Sequence, residues 1–265
     1  DYALHVYQVD RAVGAFRETG HLWSYDPFVL AGQPAVAVED LTSKTIELFV
    51  IAGTRLGVNR WVAFNAYVLL VHLGMPFAGW FSARLFRLSR AASALAVLFW
   101  IVLWNFDSLL HWCWFVGMIS WSAASVLIVL VVALMYRAVH DRSPWTYALL
   151  GLTAATVTLV HPFAVLTLLF PLAVSYARAF SRLRAWEHAA LVASVALAAA
   201  TTLVWIRPAL LFRHDIGPVD AFLWPTLKYV LFDWLELLKD MLMTGQPVRT
   251  AFRTVVFVLA AVEGF

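Results

Sequence analysis

Charge is what this sequence has least of. Asp, Glu, Lys and Arg make up 13% of its 265 residues and apolar residues 63%. Soluble domains carry about 25% charge and about 45–50% apolar residues. With a mean hydropathy of +0.80, that scarcity excludes a water-soluble globular domain and a disordered chain. Cysteine is nearly absent: Cys113 stands alone inside an apolar run, which excludes a disulfide framework. No Gly-rich phosphate loop, zinc-type Cys/His spacing or nucleophile elbow occurs. Basic residues interleaved with aromatics are missing too, so nucleic acid is not an expected partner. The net charge of +3 says little until the charges are placed by side. The sequence opens on Asp1 and not on Met, and its last apolar run stops at nine residues, 254–262. The expectation is a fragment lacking an N-terminal span and several C-terminal ones.

What is present is a series of uncharged runs. They cover residues 61–83, 91–106, 108–136, 143–177 and 189–206. A helical crossing needs about 20 apolar residues. The run 108–136 is long enough for a span plus a surface segment. The run 143–177 is broken by His161–Pro162, because the residue before a proline is pushed out of helical geometry. Reading that run as a hairpin gives six crossings. It also places Arg84, Arg87, Arg90, Arg137, Arg142, Arg178, Arg182 and Arg184 on one side. Short cytoplasmic loops carry such an excess of arginine. Thirteen Trp residues suit the two membrane–water boundaries. The expected fold is all-α: a polytopic transmembrane helical bundle with amphipathic interface helices in a large first external loop. Its expected divisions are that loop (1–60), the six-span region (61–206), a second external loop (207–250) and the start of a further span (251–265).

The first loop opens with Tyr2, Val6, Val9, Val13 and Phe16 at spacings of four and three, one apolar helical stripe. Asp1, His5, Gln8 and Arg11 line a neighbouring face, and Gly20 is a helix stop. A helix of this kind is expected in the membrane interface. A second is expected from a cap at Asp40 to about Leu56. Between them lies GHLWSYDPFVLAGQPAVAVED, a turn-rich connector.

On this topology the unusual polar residues gather at one end: Asp1, His5, Asp26, Asp40, Asp107, His111, His161, Arg207, Arg213, His214, Asp215 and Asp220. Carboxylate and imidazole beside cations suit transfer from a phosphate-linked donor. The carboxylate can act as general base or hold a divalent ion, and arginine grips phosphate bidentately. Each residue has a plainer reading. Asp1 serves as a solvated terminal charge, Asp26 before Pro27 as a turn residue, Asp40 as a helix cap, and single loop arginines as lipid-headgroup contacts. His72 reads as a packed core residue.

The stretch DYALHVYQVDRAVGAFRETGHLWSYDPFVLAGQPAVAVEDLTSKTIELF resembles the first external loop of the GT-C superfamily of polytopic membrane glycosyltransferases. More narrowly, it is similar to bacterial GT-C-like membrane proteins of the YfhO and 6-pyruvoyl-tetrahydropterin synthase-related type. The likeness lies in an Asp, a His four later, a Gly, a Trp, a YDP turn and a G-x-P turn; beyond residue 60 it is one of span pattern. The resemblance implies a polyprenyl-phosphate-linked sugar donor, met at the external face of a bacterial inner membrane. It implies Asp1 as catalytic base with His5 in support. Asp26, Asp40, Lys44, His111, His161, Arg207 and Arg213 would contact substrate. A divalent cation is possible but not required, because Tyr2 stands where many members carry a second acid. The rival expectations are a non-catalytic lipid-handling or transport protein and a structural partner in an envelope complex.

Overall fold

The computed structural model describes residues 2–27, 33–34, 44–106, 110–162 and 164–211. The uncharged runs fold as helices, since in an apolar solvent only a helix or a closed barrel satisfies its backbone amides internally. In chain order the helices of the described residues are α1 (Tyr2–Thr19), α2 (Lys44–Arg55), α3 (Arg60–Leu85), α4 (Arg90–Phe106), α5 (Leu110–Phe115) and α6 (Ile119–Asp141). They continue as α7 (Pro144–Val160), α8 (Ala164–Ala179) and α9 (Ala185–Leu211), with a 3-10 turn, Phe180–Arg182, after α8. Two strands, β1 (Tyr25–Asp26) and β2 (Gln33–Pro34), pair antiparallel, Tyr25 opposite Pro34 and Asp26 opposite Gln33. The paired residues of this small hairpin come from the YDP and GQP stretches, and periodicity did not predict it; two residues are too few to show alternation.

Among the described residues four segments are long and apolar enough to cross a membrane: α3, α6, α9 and α8 with its 3-10 extension. The apolar helices α4 and α7 are shorter, at 17 residues each. Leu69, Leu70, Leu73, Phe77 and Phe81 are each more than half exposed and recur at helical spacing along α3. Leu166, Leu169 and Phe170 do the same on α8. Apolar faces this large and continuous on a protein surface mark contact with lipid, and the chain is a helical membrane protein.

The run 108–136 divides as expected into a short α5 and the long α6. The run 143–177 breaks at His161, whose backbone is extended (φ −156°, ψ 121°). Helices α7 and α9 run parallel, with small residues between them. A Cβ on Gly151 would stand 3.0 Å from Ser194 Oγ, and the hydroxyls of Thr158 and Thr201 lie 3.4 Å apart. Small residues let helix backbones approach where lipid removes the hydrophobic gain of burying larger ones. A core of α6, α7 and α8 residues, including Val131, Leu134, Leu150, Val157 and Leu168, lies beside this pair.

All eight arginines expected on one side lie at or beside the same end of the bundle, in or next to the α3–α4, α6–α7 and α8–α9 connections. Arg87 and Arg137 both reach Asp141. Arg142 lies 3.8 Å from Glu187 and donates to the Arg182 carbonyl at 2.6 Å. At the opposite end sit α1, α2 and α5. The apolar stripe of α1 is used on protein: Tyr2, Val6, Val9 and Val13 pack with Ile46, Val50, Ala63, Phe64 and Ile119. The stripe is therefore covered by α2, α3 and the start of α6.

The start of α1 is seated on the α5–α6 turn. Gly117 there has φ +92°, and a Cβ would meet the Tyr2 backbone nitrogen at 2.5 Å. Gly57, in the α2–α3 turn, has φ +83° but open space around it. Gly57→Ala should therefore cost about 1 kcal/mol of backbone strain, and Gly117→Ala about 3 kcal/mol through strain plus clash. Chemical unfolding in detergent measures both; equal costs would rule out the contact with α1.

Candidate functional site

Polar groups concentrate where α1, α2, the β1–β2 hairpin and the α7–α8 turn meet. His5 and Gln8, three apart on α1, are 6% and 2% exposed. His5 Nδ1 lies 3.2 Å from the Gln8 amide oxygen. An amide oxygen only accepts, so Nδ1 is the donor in this contact. One turn on, Arg11 Nε lies 3.3 Å from Asp26 Oδ2, and the Tyr7 hydroxyl donates to the same oxygen at 2.5 Å. Asp26 therefore does more than shape a turn, as its carboxylate ties the hairpin to α1.

Helix α2 opens with an ion pair sealed from water. Lys44 Nζ donates to both Glu47 carboxylate oxygens at 2.9 Å, and the side chains are 1% and 0% exposed. The positive helix start favours Glu47 in the first turn. Each charge is tolerated inside because the other is there.

His161 joins from the α7–α8 turn. Burial first, and then the charge of nearby His5, push its imidazole below the ordinary 6.5. The two histidines, 156 positions apart in sequence, thus share one electrostatic neighbourhood. At the edge of the cluster the Tyr2 hydroxyl donates to the Trp114 carbonyl at 3.2 Å, and burial raises its phenol above the usual 10.

The other nominated residues stand apart or outside. His111 lies half-buried on α5, its ring stacked on Phe115 with centroids 6.3 Å apart. Arg207 is exposed near the end of α9 and makes no ion pair among the described residues. Asp1, Asp40, Asp107, Arg213, His214, Asp215 and Asp220 lie outside the described residues, as does nearly all of 207–265. His72 is packed as expected: the Trp104 indole donates to its Nδ1 at 3.2 Å, and Trp114 stacks on it at 5.5 Å. Among the described residues no group of three or more His, Cys, Asp and Glu could hold a metal ion. Glu47 escaped the sequence reading, although Lys44 and Glu47 three apart at a helix start were a usable signal.

The arrangement brings imidazole and amide groups and a buried ion pair to one end of the bundle. The chain matches no protein-family profile, no curated protein and no solved structure.

Two outcomes follow. Lys44→Met alone should lower stability by about 3 kcal/mol, since it leaves Glu47 buried without its cation. Adding Glu47→Leu should recover much of that loss, and a double-mutant cycle with no coupling would refute the pairing. For His161 the folded-state value is depressed. Above pH 6.5 neither state binds the proton; between 6.5 and the lower folded value only the unfolded chain does. Stability should therefore fall as pH drops through that window, and His161→Gln should flatten the decline; identical pH profiles would remove His161 as its source.

Proposed function

We propose that the chain is the membrane bundle and first external segment of a GT-C-type glycosyltransferase of a bacterial inner membrane. It moves a sugar from a polyprenyl phosphate carrier to an acceptor outside. The observation that carries this reading is the sorting of polar groups. His5 and His161 share one neighbourhood, and the buried Lys44–Glu47 pair opens α2, which packs on α1, at the same end of an apolar bundle, while eight arginines occupy the other. Arginine-rich connections favour the cytoplasmic side, which turns the cluster outward. The two shorter apolar helices, α4 and α7, complete six crossings in this reading.

In the reaction an acceptor hydroxyl attacks the anomeric carbon, the bond to phosphate breaks, and polyprenyl phosphate leaves. The hydroxyl proton passes to a carboxylate, for which Asp1 is the nominee. His5, with Nδ1 fixed by Gln8, orients that end of α1, and His161 stands near it from the α7–α8 turn. Arg207 and Arg213 offer charge to the departing phosphate. Lys44 and Glu47 neutralise one another and hold the start of α2.

The test is transfer of labelled sugar from polyprenyl phosphate donors by membranes carrying the full-length protein. Asp1→Asn should reduce transfer roughly 100-fold or more, the scale of losing a general base. Undiminished transfer in that variant would overturn the assignment of the base. No transfer by the unaltered protein, together with lipid movement between leaflets, would favour the lipid-handling alternative.

A further inference from the structure

A second polar feature lies away from the histidine cluster, where the ends of α1 and α2 meet the start of α3. A groove of about 690 Å³ opens there, lined among others by Phe16, Arg17, Arg55, Arg60 and Trp61. Its three cations are not equivalent. The Arg55 guanidinium lies over the Phe16 ring at 4.7 Å and that of Arg60 over Trp61 at 4.5 Å. Stacking holds these planar forks in place and leaves their edges to donate. Arg60 also pairs with Asp10. Arg17 and Arg55 have no carboxylate partner among the described residues, so the groove keeps an excess of positive charge. Asn59 caps α3 by accepting from the Trp61 backbone N–H at 2.9 Å, so the positive end of a 26-residue helix adds to the potential there.

The surroundings identify the occupant. Leu56 is 84% exposed and Val62 59%. From Val62 the exposed apolar residues continue down α3 through Leu69, Leu70, Leu73 and Phe77. A molecule seated here meets guanidinium groups at its head and a long apolar face below. We infer that this groove binds the phosphate headgroup of an anionic membrane lipid, with its acyl chains lying along α3. A free phosphate would use the arginines and leave the apolar face without a role.

Full-length protein in phosphatidylcholine nanodiscs containing a minor fraction of phosphatidylglycerol tests this, read by lipid retention in native mass spectrometry. The unaltered protein should retain phosphatidylglycerol over phosphatidylcholine, and inorganic phosphate should not displace it. Arg17→Gln with Arg55→Gln should weaken that preference by about thirtyfold, the combined effect of two cations near an anionic surface. Both side chains are exposed, so unfolding in phosphatidylcholine alone should be unchanged. Equal retention of the two lipids by the unaltered protein would overturn the proposal, whether or not the variant folds. So would an unaltered preference in the folded double variant. Displacement by inorganic phosphate would reassign the groove to a soluble anion.

Discussion

A charged side chain at the middle of a bilayer costs about 2.5–3.5 kcal/mol even by the mildest scale, and this chain places none there. No Asp, Glu, Lys or Arg occurs in 62–83, 91–106, 119–136, 144–177 or 189–206. Nearly every other feature follows from that exclusion. Charges exported from the spans collect in the connections, and there they must find partners. The two ends solve the problem differently. At the arginine end, Arg87 (φ 65°) and Arg142 (φ 53°) take up left-handed backbone at helix ends, unfavourable for a residue with a side chain. Both guanidinium groups cross to another helix, Arg87 to Asp141 and Arg142 toward Glu187. Cross-helix ion pairing of partly exposed charges contributes little singly, but these contacts also close the α3–α4 and α6–α7 turns.

Glu187 shows how far that end is organised around helix termini. It is fully buried, and Oε2 accepts the Arg184 backbone N–H at 2.5 Å. That is the reciprocal half of a capping box, in which a glutamate in the first turn reaches back to the residue before the helix. Its other oxygen and the Tyr147 hydroxyl have no hydrogen-bond partner among the described residues. Burying polar atoms in that way is unfavourable, and the nearby Arg142 offsets part of the cost.

Legibility divided along the same line. Uncharged runs marked the helices of the bundle, and Pro162 marked the break between α7 and α8, because each signal is local. The α1 stripe was also legible, since Tyr2, Val6, Val9 and Val13 repeat at helical spacing. What covers the stripe was not. Interfacial lipid and a partner helix accept the same apolar pattern, and only the fold places Ile46, Val50 and Phe64 against it. The polar face of α1 was recognised, but not that His5 and Gln8 would be almost fully buried. The proximity of His5 to His161 could be expected only through a topology argument, because no local pattern links residues so far apart. Of the Lys44–Glu47 pair only Lys44 was singled out from the sequence; its buried partner was not. The β1–β2 hairpin and the groove at Arg17, Arg55 and Arg60 left no periodic trace.

Different forces hold the two layers together. Lipid tails are as apolar as leucine, so inside the bundle association depends on close packing. That is why Gly151 meets Ser194 and Thr158 meets Thr201 along α7 and α9. The α1–α2 layer is seated by burying Val9, Ile46 and Val50 to 1% exposure or less. The His161 turn belongs to the first layer and His5 to the second. The candidate site therefore spans the seam between a closely packed platform and a layer seated on it by apolar burial and the α1 contact at Gly117. Any movement of α1 and α2 relative to the bundle changes the distance between the two imidazoles, while the arginine-rich connections at the far end stay as they are. The geometry of the site is thus set by how α1 seats on the turn before α6, and the least replaceable residue there is a glycine with no chemistry of its own.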